Sequence, residues 1–243
     1  MNEEELLAEL DNNEPAFQED KLQSITKSSG NSNFKRDRED LWKKSDFKAK
    51  KLSVEDFKKS GKAFMISYYG NDSKVSDEIV SKFTKVAKYL INKGFIFRHT
   101  GSKDSKIQNE ILAISDINYQ SYLPWGKFNT NIKKPVFKST PKDAYEYACN
   151  YHSKFNTIPY PAIRAKLGAE IAAMFTEKFN NPIDLLICYN ENGDEVITKD
   201  VKYKELGNIS FPIRVANDNN IAVFNLQKED SITRIVEFVK NMD

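Results

Sequence analysis

The run Ile183-Asp-Leu-Leu-Ile-Cys-Tyr189 is the clearest strand in the sequence. It follows Asn181-Pro182 and is closed by the turn residues Asn190-Glu-Asn-Gly193. A short apolar run between turn signals is typical of a strand that is buried on both faces. Asp184 is expected to lie at the surface, where this strand begins. Strands covered on both faces are characteristic of parallel sheets, so the run predicts an α/β protein.

Outward from this run, short apolar segments predict four further strands, and helical periodicity predicts six helices between them. The other strands are predicted at 62–69, 95–98, 117–124 and 221–226. The helices are predicted at 75–93, 103–114, 141–151, 163–179, 209–217 and 231–242. The alternation predicts right-handed βαβ units, and therefore a Rossmann-like, mostly parallel sheet with helices on both faces.

The first 60 residues differ from this α/β body in composition. Residues 1–20 contain eight carboxylates and no base, whereas residues 21–60 contain twelve Lys or Arg and six Asp or Glu. Low hydrophobicity with blocks of like charge predicts disorder. We therefore interpret 1–60 as a largely disordered charged arm with short amphipathic pieces, and 61–243 as the folded domain. Residues 34–59 either form a solvated leader or contact a protein or nucleic-acid partner through Trp42 and Phe47.

The overall composition excludes several classes of protein. The net charge is only +2, too near neutral to indicate a nucleic-acid binder from composition alone. The chain has two cysteines without a CxxC motif and two histidines, so neither a metal site nor a cofactor is expected. No stretch approaches 18 uncharged apolar residues, so no membrane contact is expected. The first 15 residues lack the features of a secretory signal. We therefore expect a cytoplasmic protein.

In open parallel sheets, ligands bind beyond the carboxyl ends of the strands. Residues Arg98–Ser102 lie between a predicted strand and a predicted helix, so they form either a phosphate-binding turn or an ordinary βα turn. Trp125 lies in a loop after the next strand, where it either stacks on a base or covers the sheet. Glu110 is the one candidate for an acid or base, and its alternative is a solvated helical carboxylate.

Four segments together resemble the SLOG superfamily of Rossmann-like nucleotide-binding proteins, which includes the DprA/Smf DNA-processing proteins and the LOG-type nucleotide hydrolases. The YpsA-related members found in bacteriophage genomes are the most similar. The segments are Gly94-Phe-Ile-Phe-Arg-His-Thr-Gly101, Tyr122-Leu-Pro-Trp-Gly-Lys-Phe-Asn129, Asn181-Pro-Ile-Asp-Leu-Leu-Ile-Cys-Tyr189 and Arg214-Val-Ala-Asn-Asp-Asn-Asn-Ile-Ala-Val-Phe-Asn-Leu226. The resemblance covers about residues 62–226, and the family motif Y-L-P-W-x-x-F-N is its most specific part.

The resemblance implies a ligand site at the carboxyl ends of the strands, with Arg98 on a phosphate and Trp125 near a base. The implied site residues are Arg98, Thr100, Gly101, Ser102, Trp125, Gly207, Ser210 and Arg214. It also implies a nucleotide or ADP-ribose-like ligand. The phage relatives imply a host-cell cytoplasmic location, or a place in a virion.

Both glycine loops depart from the family pattern. The family reads S-G-G-A-x-G-A-D where this chain has His99-Thr-Gly-Ser-Lys-Asp-Ser-Lys106, and G-G-T-x-Q-A where it has Gly207-Asn-Ile-Ser-Phe-Pro212. Glycines let backbone amides approach a phosphate, so their loss predicts a reshaped pocket and weak or absent catalysis. We expect a binding protein for a nucleotide, an ADP-ribose-like molecule or single-stranded nucleic acid. The alternatives are an interaction protein of a phage particle or host-takeover complex, and a nucleotide N-glycosidase that uses Glu110.

Overall fold

A computed structural model describes most of the chain beyond residue 60. The described residues are 61–68, 75–102, 105–115, 119–129, 131–132, 135–136, 140–151, 158, 160–176, 179–197 and 210–242. The predicted arm at 1–60, the loop that follows the first strand and Gly207 lie outside the described residues. In the described part, no helix combines the length and the apolar character needed to cross a membrane.

The centre of the fold is a five-stranded sheet in which all strands are parallel. The strands are β1 (Ala63–Tyr68), β2 (Ile96–His99), β3 (Tyr119–Ser121), β4 (Leu185–Tyr189) and β5 (Ala222–Asn225). Their order in the sheet is β3-β2-β1-β4-β5. The chain therefore reverses its direction of winding after β3, and the switch point lies between β1 and β4. The predicted fold class is confirmed.

Six helices of the described part of the chain cover the two faces of this sheet. They are α1 (Asp77–Asn92), α2 (Lys106–Ser115), α3 (Lys142–Tyr151), α4 (Pro161–Phe175), α5 (Ser210–Asp218) and α6 (Ser231–Lys240). Helices α1, α2 and α6 share one apolar core with the sheet residues Phe64 and Ile66. Helices α3, α4 and α5 share the other core with Ala63 and Met65. Alternate residues of a strand point to opposite faces, so β1 contributes to both cores.

Local chemistry explains where several elements begin and end. The hydroxyl of Ser76 accepts a hydrogen bond from the amide of Ile79 at 3.3 Å and caps the start of α1. Helix α4 ends at Phe175, earlier than periodicity predicts, because Thr176 adopts a left-handed backbone conformation with φ of 68°. The prediction of a surface position for Asp184 is wrong. Asp184 is buried, and its Oδ2 accepts a hydrogen bond from the amide of Ala63 at 2.7 Å, which joins β1 to the start of β4.

Candidate functional site

The loop that follows β2 uses its backbone amides internally. The amide of Gly101 donates to Nδ1 of His99 at 3.0 Å, and the amide of Ser102 donates to Oε1 of Gln108 at 3.2 Å. The carbonyl of Gly101 accepts a hydrogen bond from Nδ2 of Asn129 at 3.1 Å. The two amides that were predicted to hold a phosphate are therefore already bonded to side chains of the protein.

The loop after β3 covers the same turn. A Cβ atom at Gly101 would lie 2.5 Å from Cδ2 of Leu123 and 2.8 Å from Cδ1 of Ile132. Gly101 is buried, while Thr100 and Ser102 are half-buried. The absence of a side chain at Gly101 thus makes room for Leu123 and Ile132, and the space beside it is filled from within the protein.

The guanidinium of Arg98 points into the protein. Arg98 is 1% exposed; its Nε donates to Oε1 of Gln120 at 3.0 Å and its Nη1 donates to the carbonyl of Asn181 at 2.6 Å. Burial lowers its pKa, although the nearby Tyr122 and Asp184 act in the opposite direction. In this arrangement Arg98 links β2 to β3 and to the segment before β4, and a ligand at the carboxyl edge of the sheet would meet other side chains first.

Arg214, Ser210 and Glu110 lie on helices of the described part of the chain, the first two on α5 and Glu110 on α2. Nη1 of Arg214, on α5, donates to the carbonyl of Tyr151 at 3.3 Å, and its guanidinium lies 5.9 Å from the centre of the Tyr151 ring. Ser210 is buried at the first residue of α5. Glu110 is exposed and lines a groove of about 530 Å³ between α1 and α2, together with Lys106. The roles of these three residues in binding stay predictions.

His99 lies at the end of β2 and is buried. Its Nδ1 accepts the hydrogen bond from Gly101, so the proton of the neutral ring belongs on Nε2, which lies 2.7 Å from Oγ of Ser121. Burial lowers the pKa of His99 to about 4, and a hydrogen bond with Gln108 opposes this only in part. The folded protein therefore needs an uncharged His99.

This requirement predicts a loss of stability in mild acid. The unfolded chain binds a proton near pH 6.5 and the folded protein only near pH 4, so the contribution of His99 to stability falls as the pH decreases between these two values. At pH 5 this contribution to the free energy of unfolding is expected to be about 2 kcal/mol smaller than at pH 7. Because the raised pKa of Glu170 acts in the opposite sense in both proteins, the loss is the difference in pH response between wild type and His99→Asn. Urea denaturation at the two pH values measures this loss. The control is His99→Asn, which offers an amide oxygen to Gly101 but does not titrate, and an equal loss in both proteins would contradict the prediction.

A network around Glu195 closes the carboxyl ends of β4 and β5. The amide of Asn225 donates to Oε1 of Glu195 at 2.8 Å, and Nζ of Lys228 lies 2.8 Å from Oε2. Arg234 donates to both oxygens, at 3.0 and 2.9 Å. Burial alone would raise the pKa of Glu195, but the hydrogen bonds from Arg234, Lys228 and Asn225 outweigh it, and the pKa is lowered. This edge of the sheet is held by internal hydrogen bonds.

By contrast, the loop after β3 presents aromatic and basic side chains on its outer side. Trp125 and Phe128 are half-buried, and their rings meet edge to face with the centres 4.7 Å apart. Nζ of Lys166, an exposed residue of α4, lies 5.4 Å from the centre of the Phe128 ring. Tyr160 and Ile163, about two turns and one turn before Lys166, are 64% and 42% exposed. The name aromatic–basic face is used below for Trp125, Lys127, Phe128, Tyr160, Ile163 and Lys166.

The sequence around this face contains no acidic residue over two long stretches. Residues 117–142 contain five lysines and no Asp or Glu, and residues 147–169 contain three Lys or Arg and again no Asp or Glu. Analysis by motif singled out Trp125 and Phe128 but missed Lys166. The signal that draws attention to Lys166 is the separation of charge along the chain, which the near-neutral total conceals.

The first carboxylate after Lys166 on α4 belongs to Glu170. Its Oε2 is buried and has no hydrogen-bond partner within the described part of the chain. Burial raises the pKa of Glu170 to about 8, against the opposing influence of Lys166. The raised pKa favours the neutral carboxyl group, which weakens the negative charge beside Lys166.

Comparisons with known proteins do not identify a relative. No protein-family model, no curated protein and no solved structure matches the chain. Among the described residues, no group of three or more His, Cys, Asp or Glu side chains is arranged to hold a metal ion. The case for a function therefore depends on the geometry alone.

Proposed function

We propose that this protein is a non-catalytic nucleic-acid-binding module that holds a single strand on the aromatic–basic face. The observation that supports this proposal is the pair of half-buried rings, Trp125 and Phe128, beside the exposed ammonium of Lys166. Aromatic rings stack on bases of any identity, and lysines contact the phosphates between them. On this proposal the scaffold is SLOG-like, as the sequence resemblance implies, and its nucleotide loop has been closed from within.

The closed loop favours this function over a mononucleotide pocket. A phosphate needs free amides, and those of Gly101 and Ser102 are bonded to His99 and Gln108. An N-glycosidase needs a carboxyl group beside the ligand, and Glu110 lies on the groove between α1 and α2 instead. The aromatic–basic face needs no rearrangement, because its rings and ammonium groups already reach solvent.

The proposal predicts how two substitutions change the binding of a fluorescent single-stranded oligonucleotide, measured by anisotropy. Trp125→Ala should weaken binding roughly tenfold, since base–aromatic stacking contributes about 1–3 kcal/mol per base. Lys166→Ala should weaken binding and reduce the slope of log affinity against log salt by about 0.7, the value for one phosphate contact on a single strand.

Two residues at the opposite edge of the sheet provide matched controls. Phe238 is a half-buried aromatic residue of α6, and Lys240 is exposed in the last turn of the same helix. Phe238→Ala and Lys240→Ala should leave the affinity within a factor of about two. Equal effects at both edges would contradict the proposal. So would mononucleotide binding that Arg98→Ala abolishes, because that result would place the ligand at the β2 loop.

A second candidate function is the protein-interaction module. The exposed side chains of Tyr160 and Ile163 favour it, because large apolar groups that reach solvent beside one another are typical of protein contacts. A wild-type protein that fails to bind any single-stranded oligonucleotide at low salt would exclude the first function and favour this one.

A further inference from the structure

We propose that the acidic segment at residues 1–20 of the same chain docks on the aromatic–basic face and competes there with nucleic acid. The docking itself follows from charge and apolar complementarity. Only the competition rests on the proposed function.

The charges of the segment and of the face are complementary. Residues 1–20 contain eight carboxylates and no base. Lys127 and Lys166 are exposed on the face, and the stretches of sequence in which they lie, 117–142 and 147–169, contain eight Lys or Arg and no Asp or Glu. Charge patterns of opposite sign attract each other and suppress pairing with the wrong partner.

The apolar groups of the segment also match the face. Leu6, Leu7, Leu10 and Phe17 lie among the carboxylates. The face exposes large parts of Tyr160 and Ile163 and presents the half-buried ring of Trp125. A segment that carries both carboxylates and leucines can cover the apolar groups and neutralise the ammonium groups at the same time, which a fully charged segment cannot do.

The length of chain between the segment and the domain permits this contact. Residues 21–60 separate the two. If they behave as the flexible linker that their composition predicts, their end-to-end distance is roughly 35 Å. A domain of this size has a radius of gyration of roughly 16 Å, so the segment can reach any side of it. Tethering gives such a segment an effective concentration in the millimolar range, at which even weak contacts are populated.

The strongest competitor for the acidic segment is the basic part of the arm itself. Residues 21–60 carry twelve Lys or Arg, but six Asp or Glu are interspersed among them. On the face, the carboxyl group that follows Lys166 on α4 is that of Glu170, whose Oε2 is buried, and the face adds aromatic rings. This difference favours the face, and the following experiment separates the two partners.

A zero-length carbodiimide cross-linker joins carboxylates directly to lysine amines and identifies the docking site in the full-length protein. Mass spectrometry of the monomer should show cross-links from residues 3–20 to Lys127 and Lys166, well above those to the control Lys240. Three results would overturn the proposal: cross-links confined to lysines of residues 21–59, an even spread over all surface lysines, or cross-links to the face found only in dimers.

Neutralisation of the segment tests the competition. In a full-length variant with all eight carboxylates of residues 1–20 changed to amides, affinity for a single-stranded oligonucleotide should increase at least fivefold at low salt. The control is Glu229→Gln with Glu237→Gln, which removes exposed carboxylates at the opposite edge of the sheet. An equal increase per charge in the control, or no increase, would overturn the competition. If neither protein binds the oligonucleotide, the proposed function fails, while the cross-links still decide whether the segment docks.

Discussion

Gly101→Ala is expected to lower the free energy of unfolding by about 4 kcal/mol, because two separate costs add. Gly101 has a φ of +73°, a left-handed conformation that costs an L-residue about 1–2 kcal/mol. The new Cβ would also lie 2.5 Å from Cδ2 of Leu123 and 2.8 Å from Cδ1 of Ile132, and overpacking of this kind costs about 1–3 kcal/mol. Chemical denaturation measures the total.

Gly94 provides a matched control that isolates the second cost. Its φ is +82°, but a Cβ built there has nothing within 4 Å. Gly94→Ala should therefore lower the free energy of unfolding only by the conformational cost, about 1–2 kcal/mol. Equal losses of unfolding free energy for Gly94→Ala and Gly101→Ala would show that Leu123 and Ile132 move aside at little energetic cost. The turn after β2 would then have room for a ligand, and the case for a closed loop would fail.

The order and type of the eleven elements could be predicted from local sequence, because each strand and helix carries its own signal. The apolar run of β4 between turn residues requires burial on two faces, and Gly94 marks the end of α1 through its positive φ. These signals depend on residues within a few positions of one another. A parallel α/β topology then follows from the alternation of strands and helices.

The interior position of Arg98 could not be predicted in this way. An arginine near the end of an apolar strand is normally interpreted as the point where the chain reaches solvent. Its carbonyl partner Asn181 lies 83 residues further along the chain, and no local pattern connects the two. The covering of Gly101 by Leu123 and Ile132 is equally non-local. The motif therefore drew attention to the loop after β2 but could not show that the protein fills it itself.

Part of the aromatic–basic face was accessible from the sequence. The motif around Trp125 drew attention to its loop, and the long stretches without Asp or Glu are visible in the sequence alone. The contribution of Lys166 was not, because α4 reaches the loop only through tertiary packing. The hydroxyl of Thr140 contributes to that packing, since it lies 2.8 Å from the carbonyl oxygen of Ala165, to which it donates, and 3.3 Å from that of Pro124.

Glu195→Ala is expected to lower the free energy of unfolding by about 3 kcal/mol at pH 7, since it removes one member of a largely buried charge network. The substitution leaves the amide of Asn225 without the acceptor it has at 2.8 Å, and it leaves Arg234 and Lys228 without their shared carboxylate. The side chains of Arg234 and Lys228 are 33% and 42% exposed, so water recovers part of their solvation. The expected loss therefore lies at the lower end of the range for a broken buried pair.

Glu195→Gln separates the charge from the hydrogen bond and gives the network a pH signature. Glutamine keeps an oxygen for Asn225 but loses the charge, so about half of the loss should remain at pH 7. Since the folded protein lowers the pKa of Glu195, the stabilisation by Glu195 is complete above the ordinary carboxylate pKa and is lost as the pH falls through the lowered value. The difference in stability between wild type and Glu195→Gln should therefore shrink below about pH 4.5.

Urea denaturation from pH 7 to pH 3 separates this effect from that of His99. The stability contribution of His99 changes mostly at higher pH than that of Glu195. A difference that persists unchanged at pH 3 would contradict the charge network, and Glu237→Gln, at an exposed carboxylate, should show no difference at any pH.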